Sequence, residues 1–207
     1  MSREDKKRWN EKYAARRAMA PVVAMPDEWL MRHVQDKAPG RALDLACGLG
    51  HNAVWLAGRG WKVDAIDISS VGLQLAAELA QQHGAVVNWI EADLEALDAL
   101  PGVYDLIIVF RFLDRARLPQ LITRALRPGA YLVYESFTSR EAERPGSHLR
   151  NPDYLLDAAE LPRLFSPLVT LAYQESDLPD RSIARLLARK PHTGDPPRPG
   201  RGPGNHE

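Results

Sequence analysis

The sequence predicts an α/β fold: a doubly wound sheet of seven strands, mostly parallel, ending in an antiparallel hairpin. Three observations carry this. Short β-branched or aromatic runs alternate with segments whose apolar residues recur at helical spacing. The first run passes through two glycines straight into a helical segment, and the last two runs are joined by a short Asp177-Leu-Pro-Asp180 turn.

Ahead of the sheet, Trp9 and Tyr13 stand one turn apart on a predicted helix and Asp27 to Val34 forms a second, so residues 1–37 read as an N-terminal helical cap. The parallel strands are Ala42 to Ala46, Val63 to Ile68, Val86 to Ile90, Tyr104 to Phe110 and Ala130 to Phe137, each bounded by Gly, Pro or Asp. Between them, Asn52 to Ala57, Val71 to Gln82 and Arg117 to Leu126 carry one apolar face each, as crossover helices require, with Ser69 or Ser70 as a candidate N-cap. Residues 139–152 (SREAERPGSHLRNP) are long for a plain connection and predict a lid or substrate loop. Asp157 to Phe165 then reads as a helix, and Leu168 to Gln174 with Ile183 to Ala188 as the hairpin, which closes the main domain at 38–190. Residues 191–207 hold five prolines and four glycines without an apolar anchor and read as a disordered tail.

Composition narrows the function. The 27 basic and 27 acidic residues cancel, which argues against a nucleic-acid partner, although the first 17 residues carry seven Lys/Arg against three Asp/Glu. The single cysteine, Cys47, and six scattered histidines offer no metal-ligand spacing, so no metal is expected. A charged N-terminus and the lack of a long apolar run predict a cytoplasmic chain with no membrane partner. The neutral balance points to a small-molecule partner, and a monomer or homodimer is expected.

The chemistry concentrates in Arg41-Ala-Leu-Asp-Leu-Ala-Cys-Gly-Leu-Gly-His-Asn-Ala53. Gly48 and Gly50 let the backbone turn sharply and approach a ligand, at which the following helix aims free N–H groups. Gly48-x-Gly50-x-x-Ala53 also fits a dinucleotide fingerprint, with Asp67 at the end of the second strand as the ribose acid. Asp44 discriminates. At about 6 Å and an effective dielectric of 20, a carboxylate and a unit charge interact by about 3 kcal/mol. That interaction repels a pyrophosphate and attracts the ammonium and sulfonium of S-adenosylmethionine.

On these residues the chain resembles the class I S-adenosylmethionine-dependent methyltransferases, a Rossmann-like family, over about residues 38 to 190. Asp44-Leu-Ala-Cys-Gly-Leu-Gly50 is similar to the family's first motif, with Ala46 in place of the commonest first glycine. That departure is expected to be minor, on the premise that the strand keeps ordinary geometry there. Asp67 matches the acid that binds both ribose hydroxyls, Asp93 the acid that meets the adenine amino group, and Tyr104 to Phe110 the strand beside the methionine moiety. The resemblance implies S-adenosyl-L-methionine as cofactor, held by Asp44, Ala46, Gly48, Gly50, Asn52, Asp67, Ile68, Asp93, Leu94 and Phe110.

Trp9-Asn-Glu-Lys-Tyr13 and Gly48-Leu-Gly-His-Asn-Ala53 further resemble the tellurite-resistance and thiopurine methyltransferase group, which implies a small thiol or chalcogen acceptor. Candidate acceptor-side residues are Trp9, Tyr13, Arg111, Arg115 and His148, with Arg111 and Glu135 as catalytic candidates. Methyl transfer from a sulfonium needs alignment and a dry pocket more than a strong base. Two rival classes stay open: a nucleotide-dependent oxidoreductase and a cofactor-binding module without chemistry.

Overall fold

The computed structural model describes residues 3–19 and 25–192. Seven strands form one sheet: β1 (Arg41–Leu45), β2 (Lys62–Asp67), β3 (Val87–Glu91), β4 (Tyr104–Phe110), β5 (Leu126–Phe137), β6 (Val169–Asp177) and β7 (Ser182–Arg189). Their order is β3-β2-β1-β4-β5-β7-β6. The first five are parallel, and β7 enters antiparallel between β5 and β6. Strand order reverses between β1 and β4, so a crevice opens beyond their C-terminal ends.

Among the described residues six α-helices flank the sheet: α1 (Arg3–Met19), α2 (Glu28–Val34), α3 (His51–Ala57), α4 (Ser70–Gln82), α5 (Leu118–Ala125) and α6 (Glu160–Leu164). Ser69 caps α4, its hydroxyl accepting from the Gly72 amide at 3.0 Å. The α5 positions Leu118, Leu121, Ile122 and Ala125 are all buried, the stripe its spacing predicts. One apolar layer packs them against β4, β5 and Phe165; the other packs Trp29, Leu30 and Val34 of α2 against Leu56, Trp61, Leu106 and Val133.

The helical cap is tied to the sheet domain by specific bonds. Asp27 caps α2 by accepting from the Trp29 amide at 2.8 Å, and its own amide donates to Asn52 Oδ1 at 2.9 Å. Asn10 of α1 accepts from the Ser69 hydroxyl at 2.6 Å, Arg17 pairs with Glu78 at 3.3 Å, and Lys6 pairs with Glu91.

Two expectations need correction. The helix read over Asp157 to Phe165 is shorter, because Ala159 takes a left-handed backbone (φ +54) and its amide donates to Glu175 of β6 at 2.8 Å. The strand read from Ala130 begins at Leu126, with Gly129 at φ +82 absorbing the irregularity. Residues 139–152, expected as a lid or substrate loop, are partly ordered. Short 3-10 helices lie at Ser139–Glu143 and Pro152–Tyr154, buried Glu141 accepts from the Ser182 amide at 2.7 Å, and Arg144 donates to the carbonyls of Leu178 and Pro179. Of the tail read as disordered, residues 193–207 lie outside the described residues.

Candidate active site

At the end of β1 the chain makes two left-handed turns in quick succession, Gly48 at φ +55 and Gly50 at φ +72, and the Gly50 amide closes the loop onto the Cys47 carbonyl at 2.9 Å. A Cβ on Gly50 would stand 2.7 Å from both Ala76 and Trp89, so helix and strand pack directly on its backbone. Ala46 is also left-handed, at φ +55. This overturns the premise that the alanine sits in ordinary strand geometry: its methyl group carries a backbone cost of about 1–2 kcal/mol that glycine would avoid.

Asp67 links β2 to this loop. Its Oδ2 accepts from the Gly48 amide at 2.8 Å and its Oδ1 from the Ser69 amide at 2.9 Å, leaving each oxygen a further lone pair for a ligand hydroxyl. Asp44 is only 2% exposed, and its Oδ2 has no hydrogen-bond partner among the described residues. Burial, then the charge of Asp67, pushes its pKa well above the usual carboxylate range, against a hydrogen bond to the Ala53 backbone. An orphaned buried carboxylate is costly, and a cation placed against it removes the cost. Burial, then Asp44 and Asp67, likewise raises the Cys47 thiol, which stays protonated.

These groups line a cavity of about 260 Å³. Asp44, Ala46, Gly48, Asn52, Asp67, Ile68, Leu94 and Phe110 all face it. Gly50 and Asp93 do not. Gly50 backs onto Ala76 and Trp89, and Asp93 caps the turn at Leu94–Ala96, its Oδ1 accepting from the Glu95 amide at 3.0 Å. Tyr13 closes the cavity from α1, over Gly48 and Gly72, and stacks on Trp9 with ring centroids 5.5 Å apart.

A second cavity, of about 540 Å³, adjoins the first and shares Trp9, Lys12, Arg111, Phe112 and Phe137 with it. His148 lies on its wall, together with Glu141 and the stretch from Arg144 to Leu149. The backbone of Arg111 is left-handed (φ +61), held by its amide donating to the Glu135 carbonyl at 2.8 Å, and this turn brings its side chain to the seam between the cavities. Nearby Asp114 accepts from the amides of Ala116 and Arg117.

Two acceptor-side candidates lie elsewhere. Arg115 lines neither cavity: it is clamped on Glu160, with Nη2 3.0 Å from Oε2, and donates to the carbonyls of Asp153 and Leu155. Glu135 is fully buried behind the site, paired with Arg185 at 2.8 Å and within 3.8 Å of Arg111. It reaches the cavities only through Arg111. Tyr13 lines the smaller cavity alone. Lys12, Phe112 and Phe137 went unassigned in the sequence. Lys12 had a signal, since it lies three residues beyond Trp9 and shares its helix face.

Strand order, glycine cradle and paired acids are those of the class I S-adenosylmethionine-dependent methyltransferase fold. Residues 42–129 match the family model described as "Methyltransferase domain". Among similar proteins, demethylmenaquinone methyltransferase of Thermus thermophilus is 36% identical over 53% of this chain and 54% of its own length. Hemagglutinin 1 of Eikenella corrodens is 36% identical over 47% of this chain and 34% of its own. The chain thus spans from about a third to about half of these curated relatives. The solved structure of TehB from Haemophilus influenzae shares the fold with a TM-score of 0.68 at 22% identity, covering 87% of this chain and 67% of that one. Among the described residues no cluster suited to a metal ion is found, and no helix is long and apolar enough to cross a membrane.

Proposed function

We propose that this chain transfers the methyl group of S-adenosylmethionine to a small-molecule acceptor whose nucleophile is a thiol or another chalcogen. The observation that carries the cofactor reading is the orphaned oxygen of buried Asp44 on the wall of the glycine-loop cavity. Asp44 would hold the ammonium, Asp67 the ribose hydroxyls, and Ile68 with Leu94 the apolar edge of the base. When bound, the cofactor supplies an electrophilic methyl that the acceptor's lone pair takes as the carbon–sulfur bond breaks. The protein's part is alignment and exclusion of water: Tyr13, Trp9 and Phe110 wall the cofactor cavity, and Phe112 with Phe137 continues the wall toward the acceptor. A pyrophosphate-bearing dinucleotide would meet Asp44 with the wrong sign.

The soft acceptor rests on the motif resemblance and on one feature of the larger cavity. Its buried carboxylate, Glu141, is bonded through both oxygens, to the Ser182 amide and the Ser147 hydroxyl, and is poorly placed to act as a base. A cytoplasmic setting and a small acceptor, not a nucleic acid, accompany this reading. The test is methyl transfer from labelled cofactor to a panel of thiophenol, selenite, catechol and bulk transfer RNA. Turnover on the first two supports the reading, turnover on catechol or RNA alone replaces the acceptor class, and cofactor binding without any turnover leaves a binding module.

A further inference from the structure

The larger cavity is apolar along much of its wall, with Phe112, Leu113, Phe137 and Leu149 exposed to it. Its polar groups are mostly spent. Glu141 is bonded through both oxygens, and Asp180 pairs with Arg181 at 2.8 Å. Arg144 donates to two backbone carbonyls, and Arg8 donates to Asp5 at 2.8 Å. Two cations at the seam are different. Among the described residues neither Lys12 nor Arg111 donates a side-chain hydrogen bond: the Lys12 ammonium stands 4.3 Å above the Trp9 ring, and Arg111 comes no nearer than 3.8 Å to Glu135 and 4.0 Å to Asp27.

Desolvation, then the charges of Arg8, Arg16 and Arg111, lowers the pKa of Lys12, so the seam is crowded with positive charge. Arg111 is delivered there by a backbone conformation that costs free energy in any residue with a Cβ. Both side chains are exposed, and an anion at the seam would give each a direct hydrogen-bond acceptor that the chain does not supply there.

Building on the methyl-transfer reading, we propose that the acceptor binds as an anion with an apolar, ring-sized body: its charged end lies between Lys12 and Arg111, facing the cofactor cavity, and its body fills the space between Phe112, Phe137 and Leu149. An acceptor held already ionised needs no base on the protein, which fits the occupied state of Glu141.

The cofactor's own carboxylate is the other anion that could use these cations, and the experiment separates the two. The full chain, saturated with S-adenosylhomocysteine, is titrated calorimetrically with benzoate, benzamide and inorganic phosphate. Benzoate is expected to bind about tenfold or more tighter than either of the others, and Arg111→Gln and Lys12→Gln are each expected to weaken it about tenfold without changing benzamide. The proposal is overturned if benzamide or phosphate matches benzoate, if benzoate does not bind, or if the variants lose S-adenosylhomocysteine in place of benzoate. Failure of the wild type to bind S-adenosylhomocysteine sinks the methyl-transfer reading separately, and benzoate selectivity measured on the unliganded chain still decides the anion site.

Discussion

The hydroxyl of Tyr13 stands 2.8 Å from the point where a Cβ on Gly48 would lie, while the next atom of its ring would be 3.5 Å away. Helix α1 and the glycine loop are therefore fitted to each other through one oxygen. Gly48→Ala is expected to destabilise the chain by roughly 1–3 kcal/mol, from the left-handed backbone and the displaced hydroxyl together. Tyr13→Phe in that background removes the close oxygen and should recover part of the loss, giving a coupling of about 0.5–1 kcal/mol in a denaturant double-mutant cycle. Additive effects would mean that α1 moves freely over the loop.

Asp44 predicts a pH dependence of fixed sign. Its pKa in the unliganded fold lies above the unfolded value, so its contribution to stability is fully present below the ordinary aspartate range and is lost as pH rises through the raised value. Unliganded Asp44→Asn should accordingly melt above the wild type at pH 7, with the gap closing near pH 4.

A cation against Asp44 favours the ionised form, so S-adenosylhomocysteine, through its ammonium, should bind more weakly as pH falls through that raised value. Binding there should release a proton, seen as buffer-dependent heats in calorimetry. Asp44→Asn should abolish the proton release and cost about tenfold or more in affinity.

The left-handed Ala46 makes a paired test. Ala46→Gly should leave stability unchanged or raise it by up to about 1 kcal/mol, since relief of the backbone is offset by glycine's freedom in the unfolded chain. Ala46→Val, β-branched at positive φ, should cost roughly 1–3 kcal/mol in denaturant unfolding.

Arg115→Gln should lower stability by about 1–2 kcal/mol, through loss of its bidentate contact with Glu160, and leave acceptor KM unchanged. A rise in KM with no loss of stability would return Arg115 to the acceptor site.

The sheet was legible because buried parallel strands are written as continuous β-branched runs; all seven strands fall within a few residues of their expected places. The first motif was legible because glycines, a strand end and an acid at fixed spacing have few other uses. What stayed hidden depended on backbone dihedrals and on partners distant in sequence. Nothing around Arg111 announces positive φ, the one sign at Ala46 is the glycine that the resembled motif most often carries there, and the capture of Arg115 requires knowing that Glu160, 45 residues on, packs beside it. Arg144 and Glu141 look like free charges in a polar loop until the β6–β7 turn arrives to bind them.

Trypsin offers a readout of the 139–152 segment. Arg140 is held by Asp177 at 2.9 Å, and the bond after Arg144 precedes a proline. Cleavage should fall first after exposed Arg150 and slow when S-adenosylhomocysteine and benzoate are both present. Equal rates with and without the ligands would make the segment a fixed wall.

The antiparallel insertion of β7 between β5 and β6 orders events during synthesis. While the nascent chain is still growing, β5 can pair with β4 but keeps its other edge bare until Ser182–Arg189 emerges from the ribosome. The glycine loop, Asp44, Asp67 and α1 are all translated well before that point, whereas Glu141, at the wall of the larger cavity, waits for the Ser182 amide. The small cavity can thus form on the emerging chain, and the large one is finished only by its last strand.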